Sequence, residues 1–508
     1  MKNTDLILKS KIYNEYLNEL EYLERDRFFC RHNYEHFVSV ARICYILKLE
    51  EDVDVDKDMI YSTALLHDLG RVIEIKEGIN HAIASVDLAR EILKLTDFSD
   101  EEKEIDPNTI RNQNILVPTK EGVQKANLYE AEKIKKLEEV PLEGLTKSYL
   151  LGDYKSGEIL EGHNLDEIRA MASTSKLVSI FVVLDKIQEG SISLNDEVEI
   201  DKEAAVLTGS SFKLKEGDKV TVEKLIEASM VVSGNDAITA LGKHVAGSTD
   251  AFVKMMNDKC QDLGLKNALM VNPTGLTNYE ILDYNKMTTR EMFKLASELI
   301  KFHPEILKYT SITKLEEPER NFIEYSTNPV LGIIPEVDGL KTGYTNAAGR
   351  CVILTGLEKG VDDKSKDMRL IGITTGSNSD FERFVACKRL MTKGFEDYGY
   401  NAIGDTEKEV RTIEVLHSQD ENIPIYQKET GYILSKSGDK YREMVEIKED
   451  LKAPIEAGSS VGKISFYKGD KLVFESDLIV KDKVYEKGII NKFKRVFEEI
   501  FVNIEKAA

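Results

Sequence analysis

Apolar and polar positions change rhythm several times along the 508 residues. From 1 to 105, apolar residues recur at three- and four-residue spacing. VSVARICYILKL, IYSTALLHDLG and SVDLAREILKL each predict an amphipathic helix. Residues 106–145 are polar and weakly patterned, and read as a linker carrying one solvated helix around 121–138. Residues 146–400 mix two periods. KSYLLGDYKSGEIL reads as a hairpin and LNDEVEI as a short strand. GRCVILTGL and RLIGITTGS read as alternating antiparallel strands, and SDFERFVACKRLMTKGFEDYGY as a closing helix. Helices between an early hairpin and late strands predict an α+β domain, an antiparallel sheet covered by helices. From 401 to 483, VRTIEVL, GYILSKSG, MVEIKED and GKISFYKGDKLVFESDLIV are short strands broken by turns, the pattern of a small all-β sandwich. In 484–508 the period changes again. Ile489, Ile490, Phe493, Val496, Phe497, Ile500, Phe501 and Ile504 fall on one stripe of a terminal amphipathic helix.

Charge and cysteine content narrow the function classes. The chain carries 90 acidic and 69 basic residues, a net charge of −21. Phosphate contacts need clustered Lys and Arg, so a general nucleic-acid partner is not expected. Cys30, Cys44, Cys260, Cys351 and Cys387 are scattered with no CxxC pair. That argues against a disulfide framework or a structural zinc site and predicts small buried apolar residues. The N-terminus MKNTDLILKSKIYNEYLNEL has no apolar core of about 7–15 residues, so no secretory signal is expected. No apolar window of about 18 residues occurs, so no transmembrane helix is expected.

Three short motifs carry chemistry within 146–400. The first is MASTSKLVSI, where Ser173 and Lys176 share a face one turn apart, ahead of an apolar run. An amine held in a dry site is driven toward its neutral form and can take a proton from the neighbouring hydroxyl. The bland alternative is a capping serine with an exposed lysine. The second is MVVSGNDAITALG, where Ser233 and Asn235 occupy a turn between two helical segments. A hydroxyl and an amide there could relay a proton and hold a substrate amide, or could simply cap a helix. The third is VDGLKTGYTNAAGR. Lys341 and Thr342 offer donors to a carboxylate, and Gly343 lets another backbone approach a strand. An ordinary strand end is the alternative.

Singly the motifs are weak, but their order and separation are not. Ser233 lies 60 residues after Ser173, and Lys341 a further 108 residues on. S-x-x-K, S-x-N and K-T-G in this order mark penicillin-binding proteins and class A β-lactamases. TGSSFKLKEGDKVTVEKLIEASMVVSGNDAITALGKHVAGS and MMNDKCQDLGLKNALMVNPTGL strengthen the resemblance. Residues 146–400 resemble a low-molecular-mass penicillin-binding protein, a serine-type D-alanyl-D-alanine carboxypeptidase. Residues 401–483 resemble that family's C-terminal β domain and 484–508 its terminal helix.

The resemblance implies a fold and a chemistry. Ser173 would attack the carbonyl between the terminal D-alanines of a peptidoglycan stem peptide, with Lys176 as general base. Ser233 would pass the proton to the leaving amine, and Asn235 would orient the peptide amide. Lys341, Thr342, Gly343 and Arg383 would serve the terminal carboxylate. The N–H groups of Ser173 and Tyr344 would form the oxyanion hole. β-Lactam antibiotics are implied ligands, and no cofactor is expected for this reaction. A class A β-lactamase is disfavoured, because no Glu occurs between Glu227 and Glu280 and the middle motif is SGN. Transpeptidase or endopeptidase preference, and a catalytically silent wall-binding module, stay open.

The first 105 residues resemble the HD superfamily of metal-dependent phosphohydrolases. CRHNYEHFVSVARI and STALLHDLGRV place His36, His67 and Asp68 at the family's ligand positions, with a divalent metal as candidate cofactor. His81 is a further candidate ligand or phosphate contact. The family's later Asp has no counterpart, since YEAEKI supplies Glu alone, so the domain reads as truncated; a metal phosphohydrolase with an attached wall-binding domain stays open as an alternative to a leftover helical domain. The two parts imply different compartments. The C-terminal stripe, accompanied by Lys487, Lys492, Lys494, Arg495 and Lys506, suits peripheral contact with a membrane.

Overall fold

The computed structural model describes residues 1–25, 32–50, 55–77, 79, 81–99, 115–120, 122–362 and 364–497. The chain forms two compact units, Met1–Glu139 and Val140–Ala508. The first is helical where the apolar spacing predicts it. Its helices include Lys11–Leu23, Tyr34–Glu50, Lys57–Leu66 and His81–Leu93, around a core of Ile7, Tyr13, Leu20, Phe37, Leu65, Leu69 and Ile92. The expected linker is more ordered than its composition suggests. Leu116–Thr119 and Gly122–Lys125 pair as a hairpin, and helix Leu128–Glu138 follows, opened by an Asn127–Glu130 capping box. Val117, Ala126, Ala131 and Ile134 are buried. Four isolated apolar residues in a polar stretch give little periodic signal, yet they tie the segment into the first unit.

The second unit is built on a five-stranded antiparallel sheet. In chain order its strands are β1 (Ser148–Asp153), β2 (Ile159–His163), β3 (Val337–Thr345), β4 (Gly349–Glu358) and β5 (Met368–Ser377), paired in the order β3-β4-β5-β1-β2. The expected alternation of β4 and β5 does not appear: both are buried almost throughout. The sheet is covered on both faces. A Cβ at Gly372 would meet Met391 of the closing helix, and one at Gly152 would meet Phe293 of helix Thr289–Phe302. Strands covered on both sides read as continuous apolar runs. The helical layer carries α1 (Lys176–Gln188), α2 (Val222–Val231) and α3 (Asn235–Ala246), and the closing helix is α4 (Asp380–Asp397). Residues 176–184 of α1 are buried on every face, as a helix that is apolar nearly all round demands, with Lys176 and Ser179 the two polar members.

The C-terminal domain is a β-sandwich, as expected, but the boundary at 400/401 cuts one of its strands. A five-stranded sheet runs Glu409–Ile413, Ile423–Gln427, Lys471–Ile479, Ser460–Lys468 and Arg442–Ile447 in spatial order. The second sheet pairs Ser365–Lys366, Tyr398–Ile403 and Gly431–Lys436. Residues 489–497 are helical, with Ile489, Ile490, Phe493, Val496 and Phe497 exposed. Ile500, Phe501, Ile504 and Lys506 lie outside the described residues, as does Cys30. Cys260, Cys351 and Cys387 are buried as expected, but Cys44 is exposed on helix Tyr34–Glu50. No helix among the described residues is long and apolar enough to cross a membrane.

Candidate active site

Ser173 does not stand on the helix itself. It lies in a 3-10 turn, Ala172–Ser175, that runs directly into α1. The turn is held by its own side chains. Thr174 donates to Met171 O at 2.6 Å and Ser175 to Ala172 O at 2.8 Å. Lys176 opens α1 and is fully buried. Its Nζ lies 2.9 Å from Ser173 Oγ, 2.7 Å from Asn235 Oδ1 and 2.8 Å from Thr274 O. Asn235 Nδ2 donates to Thr208 O at 2.8 Å, which fixes Oδ1 toward the lysine.

These partners match a neutral amine. Asn235 Oδ1 and Thr274 O can only accept, and they take two N–H groups. As placed, Nζ donates to Ser173 Oγ as well; once neutral, the amine can keep its two N–H groups on the acceptor-only oxygens and turn its lone pair to the Ser173 hydroxyl. Burial drives the Lys176 amine well below its ordinary pKa; Lys341 adds to the effect and Asp236 opposes it. Ser173 Oγ is also 3.3 Å from Thr274 O.

Ser233 sits in the turn between α2 and α3, as the motif predicts, and Asn235 opens α3. Ser233 has a left-handed φ of 62°, is buried, and its hydroxyl has no hydrogen-bond partner among the described residues. Asp236, one residue on, accepts from Ser211 Oγ and from the N–H groups of Phe212, Leu214 and Ala237, at 2.8–3.1 Å. That carboxylate ties loop 208–214 to the head of α3 and so steadies Asn235.

Lys341, Thr342 and Gly343 lie on β3 beside Ser173. Lys341 is buried and donates to Thr342 O at 3.1 Å, and Thr342 Oγ1 donates to Thr327 Oγ1 at 2.6 Å. A Cβ on Gly343 would sit 2.8 Å from Ser173 N, so only glycine lets this strand run against the turn. Tyr344 is half exposed, under the Arg350 guanidinium at 4.2 Å. Arg383, on α4, donates to Asp380 Oδ1 at 2.9 Å, while its buried Nε has no partner among the described residues. Burial, with the nearby Arg383 charge, pushes Lys341 down to about 7.

Thr274 escaped the motif reading, because it acts through a backbone carbonyl that no side-chain pattern reveals. Asn272 Oδ1 shapes its turn, accepting from Thr274 N, Thr274 Oγ1 and Gly275 N at 3.1, 2.9 and 2.7 Å. Gly275 has φ +85°, and a Cβ there would lie 1.9 Å from Ala172 O. Gly275→Ala is therefore expected to displace the Thr274 carbonyl and cut acylation by about 100-fold, since misplacement by about 1 Å can cost that much. Stopped-flow acylation rates alongside thermal melts check this.

In the first unit, His36, His67 and Asp68 converge. The His36 and His67 rings are 6.0 Å apart, His67 Nε2 is 3.1 Å from Asp68 Oδ2, and His81 Nε2 is 3.7 Å from Asp68 Oδ1. The tightest donor set differs from the expected one. It is His32, His36 and Asp68, with one ligand atom of each within 4.8 Å of the others. His67 stands just outside it, its Nδ1–H donated to Ala64 O at 2.7 Å. Imidazoles around a carboxylate are a donor set that fits a divalent transition ion.

Comparison with known proteins agrees with this layout. Residues 135–378 match the D-alanyl-D-alanine carboxypeptidase family, 399–486 the penicillin-binding protein 5 C-terminal domain, and 33–142 the HD domain. The chain is 30% identical to D-alanyl-D-alanine carboxypeptidase DacC of Escherichia coli, over 71% of this chain and 88% of that one. It is 29% identical to DacF of Bacillus subtilis, over 69% and 88%. The crystal structure of penicillin binding protein 5 from Haemophilus influenzae superposes with a TM-score of 0.50 at 27% identity, covering 67% of this chain and 98% of that one. With its three motifs drawn together and a β domain following them in sequence, the chain belongs to the D-alanyl-D-alanine carboxypeptidase family, with an HD domain ahead of the peptidase.

Proposed function

We propose that the second unit is a serine-type D-alanyl-D-alanine carboxypeptidase acting on peptidoglycan stem peptides and acylated by β-lactams. The observation that carries this reading is the buried Lys176 amine, with two acceptor-only partners and its third contact on Ser173 Oγ. Lys176 takes the hydroxyl proton as Oγ attacks the carbonyl between the two D-alanines. The oxyanion meets the N–H groups of Ser173 and Tyr344. The proton passes through the Ser233 hydroxyl to the leaving amine, and D-alanine departs. Water then cleaves the Ser173 ester and restores the hydroxyl. Asn235 holds both Lys176 and the substrate amide, while Lys341, Thr342 and Arg383 face the terminal carboxylate. The exposed apolar face of 489–497 supports peripheral membrane contact by the terminal helix.

Release of free D-alanine from diacetyl-L-Lys-D-Ala-D-Ala, without cleavage elsewhere, tests the assignment. Dimer formation or cleavage of cross-linked peptide in its place would reassign the acceptor. The pH dependence has a worked sign. Lys341, lowered to about 7 in the free enzyme, is charged below that value and loses its charge above it. KM for the carboxylate substrate is therefore expected to rise several-fold between pH 6 and about 8, with kcat changing less, and Lys341→Gln should flatten that rise. Initial rates across this range read it directly.

A further inference from the structure

The HD pattern completes its metal site with a carboxylate from a later helix. Among the described residues, the later helix Leu128–Glu138 carries Glu130, Glu132 and Glu138. Glu130 is committed to the Asn127 N–H at 2.9 Å, and Glu132 is exposed. The space around Asp68 is instead approached from the front of the chain. His32 is buried and precedes helix Tyr34–Glu50. Its ring is fixed from behind by Glu24: Nδ1 lies 2.9 Å from Glu24 Oε2, and that same oxygen accepts the His32 backbone N–H at 2.8 Å. Arg71 Nε donates to the other Glu24 oxygen at 3.0 Å, so the carboxylate is itself held and its charge matched. The consequence is directional. His32 Nε2 points at Asp68 Oδ2, 3.4 Å away.

The neighbouring imidazoles follow the same plan. His67 gives its Nδ1–H to Ala64 O and turns Nε2 to Asp68. His81 Nδ1 is 2.9 Å from Glu74 Oε2, with Nε2 turned to Asp68. Metal-ligating histidines characteristically donate one ring nitrogen to a carboxylate or carbonyl, which fixes the tautomer and frees the other nitrogen for the ion. Glu24 and Ala64 supply that arrangement for His32 and His67, while Glu74 stands beside His81 as an ion-pair neighbour. Donors around an ion with bonds of about 2.1 Å lie no more than about 4.2 Å apart, so a small contraction of the 4.8 Å set closes it.

We propose that His32, oriented by Glu24, is a metal ligand of this chain, giving a nitrogen-rich centre with His36 and Asp68 at its heart. A set with two imidazoles to one carboxylate prefers a transition ion such as Co²⁺, Zn²⁺ or Ni²⁺ over Mg²⁺.

The test is titration of the metal-free full chain with Co²⁺, read by calorimetry and by the visible Co²⁺ spectrum. One ion per chain is expected, undisturbed by millimolar Mg²⁺. His32→Ala should weaken binding more than tenfold and change the spectrum. Glu24→Gln, which keeps the shape but loses the acceptor charge, should weaken it about tenfold, the usual range for a lost outer partner being about 10–100-fold. Far-UV circular dichroism and the melting temperature report whether each variant remains folded. Folded His32→Ala protein with parental affinity and spectrum would overturn the proposal. So would a folded parent that binds no Co²⁺, or one whose Co²⁺ is displaced by Mg²⁺.

Discussion

Replacing Lys176 with methionine lowers the rate of acylation by benzylpenicillin about 1,000-fold, within the range of about 10²–10⁴ that a positioned general base contributes. Methionine fills nearly the same buried volume, so the cleft keeps its walls. What disappears is the lone pair 2.9 Å from Ser173 Oγ. Asn235 Oδ1 and Thr274 O then lose their donor, each at about 1–3 kcal/mol if left dry, and loss of the buried amine offsets part of that. Lys176→Arg separates charge from basicity. A guanidinium stays protonated at every accessible pH, so it can donate to the same oxygens but cannot accept the Ser173 proton. If Lys176 is the base, both variants fail alike. If it serves only as a fixed positive charge, the arginine variant retains much of the rate. The acid limb belongs to the same group. With its pKa driven well below 10.5, the amine is neutral above that lowered value, and acylation should fall as the pH drops through it. Pre-steady-state acylation rates against pH for all three proteins decide between these outcomes.

Ser173→Ala has the larger effect on turnover. Without the nucleophile, D-alanine release should fall by about 10⁴–10⁶-fold, the scale seen when a catalytic serine is removed from a hydrolase. Binding should survive, because Lys341, Thr342, Asn235 and Arg383 do not depend on the Ser173 hydroxyl for their places. A dissociation constant for the stem peptide close to the parent's KM, with turnover lost, separates a missing nucleophile from a collapsed cleft.

The candidate cluster is legible in the sequence because its proposed chemistry resides in side chains at characteristic separations. Ser173, Lys176, Ser233, Asn235 and Lys341 are named by three motifs, and the cleft draws them together. Groups that work through backbone or through neighbours left no such trace. Thr274 contributes a carbonyl. Asp236 acts by fastening loop 208–214, and nothing in SGND distinguishes a buried carboxylate with four donors from a surface one. Gly275 reads as a turn residue, whereas its necessity comes from Ala172 O pressing on it from another segment. The fold shows the same division. Long periodic helices and the paired strands β4 and β5 were plain. Ser365–Lys366 was not, because a two-residue strand in a charged loop has no pattern of its own and is set by its partner Tyr398–Ile403. His32 carries no such signal, because it precedes the helix whose periodicity marks His36, although the two lie four residues apart in RHNYEH.

The central claim is that the motifs form a working acylation centre in this chain. Incubation of the purified full-length protein with benzylpenicillin, followed by intact-mass measurement beside Ser173→Ala, tests it most directly. One penicilloyl adduct on the parent and none on the variant is the predicted result. A folded parent without adduct, an adduct that persists in Ser173→Ala, or catalytic consumption of the drug would contradict it.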